Sequence, residues 1–228
     1  MNLSSLEKNI GTKFNNKDLL KQALVHRSYS NENPDFPLKD NERFEFLGDA
    51  VLEMAVTEYL YSEYPNPEGD LTNWRAALVN AKMLAKVADR LGINDHLLLS
   101  RGEARDAGRA RQCILANTLE AIIGAIYLDQ GYERTTQFIK KEILKELPEI
   151  IKEKLYQDPK SYLQEEAQER AGITPIYKVL EEWGPDHSKN FTVGVYLNKE
   201  EIAQGQGASK QEAQEKAAEE ALKKKGWN

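Results

Sequence analysis

The chain has 228 residues, 40% hydrophobic and 30% charged, with a formal net charge of −6, which fits one or two soluble globular domains and excludes a disordered or fibrous chain. Its single cysteine, Cys113, excludes an intramolecular disulfide and a cysteine-built zinc site and fits a reducing cytoplasm, while no run approaches the roughly 18 apolar residues of a membrane span. The acidic balance by itself argues against a nucleic-acid partner, because phosphate binding is largely electrostatic.

Residues 1–14 mix polar and charged types without the apolar core of a signal peptide. Residues 3–9 and 16–27 read as short helices separated by Gly11-Thr12-Lys13-Phe14, with Asn16 in an N-cap position. His26-Arg27-Ser28-Tyr29 follows; a lone histidine beside an arginine is more often a packing residue than a catalytic one, and no catalytic role is assigned to it. Residues 31–40 hold Pro34 and Pro37 and read as a loop into the next helix, with Asn41 as its cap.

That next helix, from Asn41 to Tyr61, organises the chain. Glu42, Glu45 and Asp49 fall at i, i+3 and i+7 and share a helical face within about 60°. Phe44, Leu47, Val51, Met54 and Ala55 lie opposite and should face a core, while Phe46 and Leu52 flank the acids, so the helix reads as apolar nearly all round and central to its domain. Carboxylates crowded on a mostly buried helix repel one another unless a cation neutralises them. A solvated acidic face accounts equally well for the spacing alone. Gly48 costs about 1 kcal/mol against alanine in a helix interior, which points to close approach of a backbone or ligand.

Asn41-Glu42-Arg43-Phe44-Glu45-Phe46-Leu47-Gly48-Asp49 resembles the signature of the ribonuclease III family. The resemblance implies an all-α nuclease domain that cuts double-stranded RNA with a divalent metal, as a homodimer in which each domain cuts one strand. It places Phe44 at the dimer contact, although the helical angle alone makes Phe44 core. His26-Arg27-Ser28-Tyr29 resembles a second landmark of the family.

Residues 65–70 end the central helix, and 71–91 read as one amphipathic helix with Leu78, Val79, Met83, Leu84, Val87 and Leu91 inward. The acidic turn Glu68-Gly69-Asp70 matches the family, where a carboxylate here belongs to the catalytic valley; a solvated helix start explains Glu68 equally well. Arg101, Arg105, Arg109 and Arg111 cluster around a glycine-rich loop, where they can meet phosphates.

From Ile114 to Tyr127 a second chemical helix carries Asn117, Glu120, Ala121 and Gly124 on one face and Leu115, Leu119, Ile122 and Ile126 on the other. Small residues beside the polar ones allow close packing on the central helix, bringing Asn117 and Glu120 towards Glu45 and Asp49. Oxygen donors from two helices suit a hard cation, Mg²⁺ with Mn²⁺ as a substitute. The stretch resembles the family's second catalytic segment, with one departure: most members carry aspartate where this chain has Asn117. The amide can still offer its carbonyl oxygen but removes a charge, so the metal is expected to bind weakly.

Residues 128–154 continue as helix, broken near Gly131 and Pro148. Beyond them the style changes to helix, three strands, helix, at 159–171, 176–182, 190–197, 201–206 and 209–225. Leu163-Gln164-Glu165, Gly184-Pro185-Asp186-His187 and Gly205-Gln206-Gly207-Ala208-Ser209-Lys210 together resemble a double-stranded RNA-binding domain. Gln164 and Glu165 are placed to meet minor-groove edges, His187 the next minor groove, and Ser209 and Lys210, at a helix start with free N–H groups, the intervening phosphates. A solvated turn is the plain alternative for His187. Here too the chain departs from the family, with Gln211, Glu212 and Gln214 where several basic residues are usual; Asp158 to Asn228 carries ten Lys and Arg against thirteen acids.

The expectation is an all-α endonuclease domain over 1–155 and a small α+β (α-β-β-β-α) double-stranded RNA-binding domain over 156–228. Glu45, Asp49, Asn117 and Glu120 form its metal set, and Asp49, Glu120, Glu42 and Glu68 its catalytic carboxylates. The homodimer would be cytoplasmic, away from membranes, without a small-molecule cofactor, and active in ribosomal and messenger RNA processing. Two alternatives stay open: an RNA-binding protein whose nuclease is weakened by Asn117, and a helical metal-dependent hydrolase with another substrate.

Overall fold

The computed structural model describes residues 2–105, 108–185 and 189–227. The chain divides into two compact units, Met1–Tyr156 and Gln157–Asn228. In the first, α1 (Leu3–Ile10), α2 (Lys17–Ala23) and α3 (Arg27–Glu32) precede α4 (Glu42–Glu63), α5 (Glu68–Val79), α6 (Ala81–Arg90), α7 (Arg109–Glu142) and α8 (Leu147–Lys152). Asn16 caps α2 as expected, its side-chain oxygen accepting the Asp18 N–H. The unit is built on α4 crossing α7. A Cβ on Gly48 would collide with the Glu120 carbonyl, and one on Gly124 with the Phe44 carbonyl, so only glycine lets the two backbones meet there. Around the crossing, Leu52, Ala55 and Val56 of α4 and Leu119, Ile122, Ile123 and Ile126 of α7 are buried in one apolar core.

Several boundaries differ from the sequence expectation. Residues 71–91 are two helices, because Asn80 is extended (ψ 155°) and its Oδ1 accepts the Met83 N–H at 2.9 Å, starting α6 afresh. The apolar spacing continues through this cap and so hides it. A short α3 occupies residues expected partly as loop. Asn41 sits at the start of α4 but makes no side-chain cap bond; it is buried, and its Nδ2 donates to the Ala23 carbonyl at 3.0 Å, tying α4 to the end of α2. Asp40 takes over, its Oδ1 accepting the Glu42 N–H. Nor is α4 enclosed all round, since Phe46 and Met54 are 81% and 61% exposed. Gly131 (φ 78°) kinks α7, as the sequence indicates, whereas Pro148 interrupts no helix but lies in the first turn of α8, where a missing N–H costs no helical bond.

The second unit runs α9 (Pro159–Ala171), β1 (Ile176–Trp183), β2 (Asn190–Leu197), β3 (Glu200–Gly207) and α10 (Lys210–Lys225), with the strands antiparallel in the order β1-β2-β3. Alternation along β2 sends Val195 and Leu197 inward, and the register shift opposite Val195 and Tyr196 lets the neighbours Ile202 and Ala203 of β3 both join them against Leu163 and Ala167 of α9 and Ala217, Ala218, Ala221 and Leu222 of α10. Gly205 faces the backbone of α10 so closely that a Cβ would strike Ala217 N and the Ala213 carbonyl. Among the described residues no helix is long and apolar enough to cross a membrane.

Candidate active site

The crossing of α4 and α7 gathers the acids. Burial first, then the charges of Asp49, Glu45 and Glu53, push the Glu120 carboxyl up to about 7. Glu45 is also raised, by burial first; a hydrogen bond from the Asn117 side chain opposes this, and Glu42 and Asp49 add to it. Glu45, Asp49, Asn117 and Glu120 thus share one electrostatic neighbourhood. Glu53 was missed by the sequence reading, although it stands one helical turn beyond Asp49. It pairs with Arg75 of α5 (3.0 Å), whose Nη1 also donates to Thr57 Oγ1 (2.9 Å).

Among the described residues no three His, Cys, Asp or Glu side chains are closed into a metal-binding group. The donor set nonetheless fits a divalent ion in type and charge. Its ligand atoms are hard oxygens, and Glu120 is a half-buried carboxyl held against three others, a cost that a cation would relieve.

The remaining candidates are mostly exposed, although Glu42 is among the charges that raise Glu45. Glu42 is exposed and pairs with Arg27 at 3.3 Å. Glu68 is exposed in the first turn of α5, its Oε1 accepting from Thr72 Oγ1 at 2.9 Å, and it is not among the groups that perturb Glu45 or Glu120. Phe44 is half-buried against the core, as its helical angle indicates, whereas Phe46 is the phenylalanine presented to solvent. Both line an open hollow with Phe36, Leu47 and Leu128. Arg101 and Arg105 are exposed, and Arg111 Nη2 donates to the carbonyls of Glu103 and Ala104. The Arg109 side chain and His187 lie outside the described residues.

On the second unit, Gln164 and Glu165 are exposed on α9. At the start of α10, Ser209 Oγ accepts the Glu212 N–H at 3.1 Å, so one of the helix's first N–H groups is already capped, and Glu212 Oε2 accepts the Ala208 N–H at 2.9 Å just before the helix. This is a variant of the capping box in which the glutamate meets the amide just before the cap residue, legible in the Ser-x-x-Glu spacing but not read from it. Lys210 Nζ lies 5.5 Å from the centre of the Phe191 ring, at the edge of this helix start.

The family profile described as Ribonuclease-III-like matches residues 16–147, and the double-stranded RNA binding motif matches 159–225. Ribonuclease 3 of Nitratiruptor sp. is 44% identical over 97% of this chain and 96% of its own. Ribonuclease 3 of a Geobacillus sp. is 46% identical over 96% and 89%. A solved nuclease domain of ribonuclease III from Campylobacter jejuni, described for flexibility in a region involved in dimer formation, is 42% identical with a TM-score of 0.58, covering 64% of this chain and 99% of that one.

Proposed function

The chain belongs to the ribonuclease III family, and from that premise we propose that it is an endoribonuclease hydrolysing phosphodiester bonds on both strands of double-stranded RNA, in ribosomal and messenger RNA processing. The observation that carries this reading is the glycine-to-glycine crossing of α4 and α7, which brings Glu45, Asp49, Asn117 and Glu120 together in a chain that also holds a double-stranded RNA binding motif.

In this reading Glu45, Asp49, Asn117 and Glu120 hold Mg²⁺, or Mn²⁺ in its place. When bound, the ion supplies an activated water and offsets charge at the scissile phosphate. Glu120, its carboxyl pushed up to about 7, would be roughly half protonated at neutral pH, and a neighbouring cation would favour its charged form as a ligand. Asp49 stands beside it as the second catalytic carboxylate, with Glu42 and Glu68 at the rim. Gln164, Glu165 and His187 read the duplex in its minor grooves, and Ser209 and Lys210 turn α10 towards its phosphates. In the homodimer, Phe46 of one protomer fits the hollow walled by Phe44 of its partner, and the two sites cut opposite strands with staggered ends. The work is cytoplasmic and needs no small-molecule cofactor.

A second reading rests on Asn117. Its side chain opposes the rise of the Glu45 pKa without a cation, as expected of an RNA-binding protein with a weakened nuclease. Long double-stranded RNA with Mg²⁺, with and without chelator, separates the two. Chelator-sensitive shortening supports the nuclease; retention on the RNA with no cleavage at any Mg²⁺ or Mn²⁺ concentration supports the second reading.

A further inference from the structure

Residues 98–105, which lead into α7, are fastened to the first helices through the amides of Leu98, Ser100 and Arg101, and beyond these the segment turns back on Ser100 and Gly102. The Leu98 N–H donates to the Leu24 carbonyl (2.9 Å), and the His26 N–H to the Leu98 carbonyl (3.0 Å). The Ser100 N–H donates to Ser28 Oγ (3.1 Å), the Arg101 N–H to Glu32 Oε2 (3.1 Å), and the Glu103 N–H to Ser100 Oγ (3.2 Å). Arg101 and Arg105 stand exposed on the segment so held.

Ser28 is itself governed by His26. The ring Nδ1 lies 2.8 Å from Ser28 Oγ and accepts the Ser28 N–H as the cap of α3. Because Ser28 Oγ receives the Ser100 N–H, its own proton is free for Nδ1. The chain of donors therefore runs from Ser100 N–H through Ser28 O–H to a neutral imidazole that carries its proton on Nε2. We propose that His26 is a positioning residue: its neutral ring locks α3 onto Ser100 and so holds Arg101 and Arg105 in place for the RNA backbone, and its protonation opens the lock. A proton on Nδ1 would face the Ser28 N–H donor to donor and place positive charge at a helix start. The task of the two arginines rests on the nuclease reading; the lock does not.

The charged groups around the ring are Arg27 on α3, Asp40 and Glu42 at the start of α4, and Glu103 from the fastened segment. Burial, the largest influence, lowers the His26 pKa; Glu103 opposes it, Arg27 adds to it, and Glu42 and Asp40 oppose it, leaving the ring below the ordinary histidine value. A depressed pKa keeps the lock closed at neutral pH and opens it as pH falls through the folded value.

Hydrogen exchange on the full chain, corrected for intrinsic rates, tests this with wild type, His26→Asn and His26→Ala. Asparagine is a good cap acceptor that does not titrate. In wild type, residues 98–105 should exchange about fivefold to tenfold faster at about pH 5 than at about pH 7.5, the loss of one cap. His26→Asn should be protected equally at both, and His26→Ala at neither. In cleavage, His26→Ala should raise KM for double-stranded RNA severalfold with kcat nearly unchanged, and His26→Asn should restore KM. Exchange independent of pH in wild type, or equally pH-dependent in His26→Asn, overturns the lock. Should His26→Ala not fold, the comparison of wild type with His26→Asn decides alone. If wild type cuts no RNA while its exchange follows pH as described, the nuclease reading fails and the lock stands.

Discussion

Asn117 is where this chain sets its own balance between stability and chemistry. Without a cation its side chain opposes the rise of the Glu45 pKa, where an aspartate would instead add another carboxylate beside Glu45, Asp49 and Glu120. Asn117→Asp should therefore lower the melting temperature in chelator, by the equivalent of about 1–2 kcal/mol, yet increase the rise produced by Mg²⁺ and lower the metal concentration for half-maximal cleavage. Thermal melts across a metal titration measure both; unchanged metal dependence removes Asn117 from the ligand set. Glu120→Gln should have the opposite stability sign, raising the melting temperature of the metal-free protein near and above neutral pH, where the carboxyl must either stay charged beside its neighbours or take up a proton, while cutting cleavage at least about a hundredfold with double-stranded RNA binding intact. The acids were legible because helical spacing alone puts Glu45 beside Asp49. Glu53 and its Arg75 partner were not, since the partner comes from another helix and no local pattern announces it.

Elements succeed or fail in sequence according to whether their signals are local. The second unit was legible to within a residue or two, because strand alternation, turn residues and a final helix start all lie within short windows. Asn80 and Asn41 misled for one reason: both are cap-type residues, but only the folded surroundings decide whether the side chain caps its own helix, as at Asn80, or reaches another, as Asn41 reaches Ala23. The exposure of Phe46 and Met54 was hidden because periodicity cannot tell a core face from one left for a partner. Close approach of α4 and α7 yields a firm expectation: Gly48→Ala or Gly124→Ala should force the helices apart, costing about 1–3 kcal/mol or more and abolishing cleavage, as denaturant melts and an RNA assay would show. The α6–α7 contact gives a pH test. Glu142 and Glu146 are buried; burial opposes their charge, but hydrogen bonds from Lys141 and Lys145 to Glu142, and from Lys86 and Arg90 to Glu146, outweigh it and hold both below the ordinary glutamate range. Their contribution is thus complete above that range and lost as pH falls below it, between about pH 5 and pH 3. Glu146→Gln should flatten that part of the stability curve.

At the scale of the molecule, a net charge of −6 and a second unit with thirteen acids against ten basic residues stand against strong binding to a polyanion. The chain departs from the basic helix start usual in its family, and the capping box of Ser209 and Glu212 adds a carboxylate at that start. Few cations then remain to displace counterions, so the salt dependence of double-stranded RNA binding should be shallow, with a log–log slope set by a handful of phosphate contacts. The units have separate cores, and the Campylobacter jejuni relative was solved as a nuclease domain alone. A chain ended after Tyr156 should accordingly remain folded and dimeric through the exposed Phe46 and its hollow, as sedimentation would report. Without the second unit it should still cut double-stranded RNA at low salt, where the arginines held on residues 98–105 suffice, and lose cleavage more steeply than the full chain as salt rises. Equal salt profiles for the two would mean that the second unit contributes nothing to holding the duplex, and that the helical unit binds its substrate by itself.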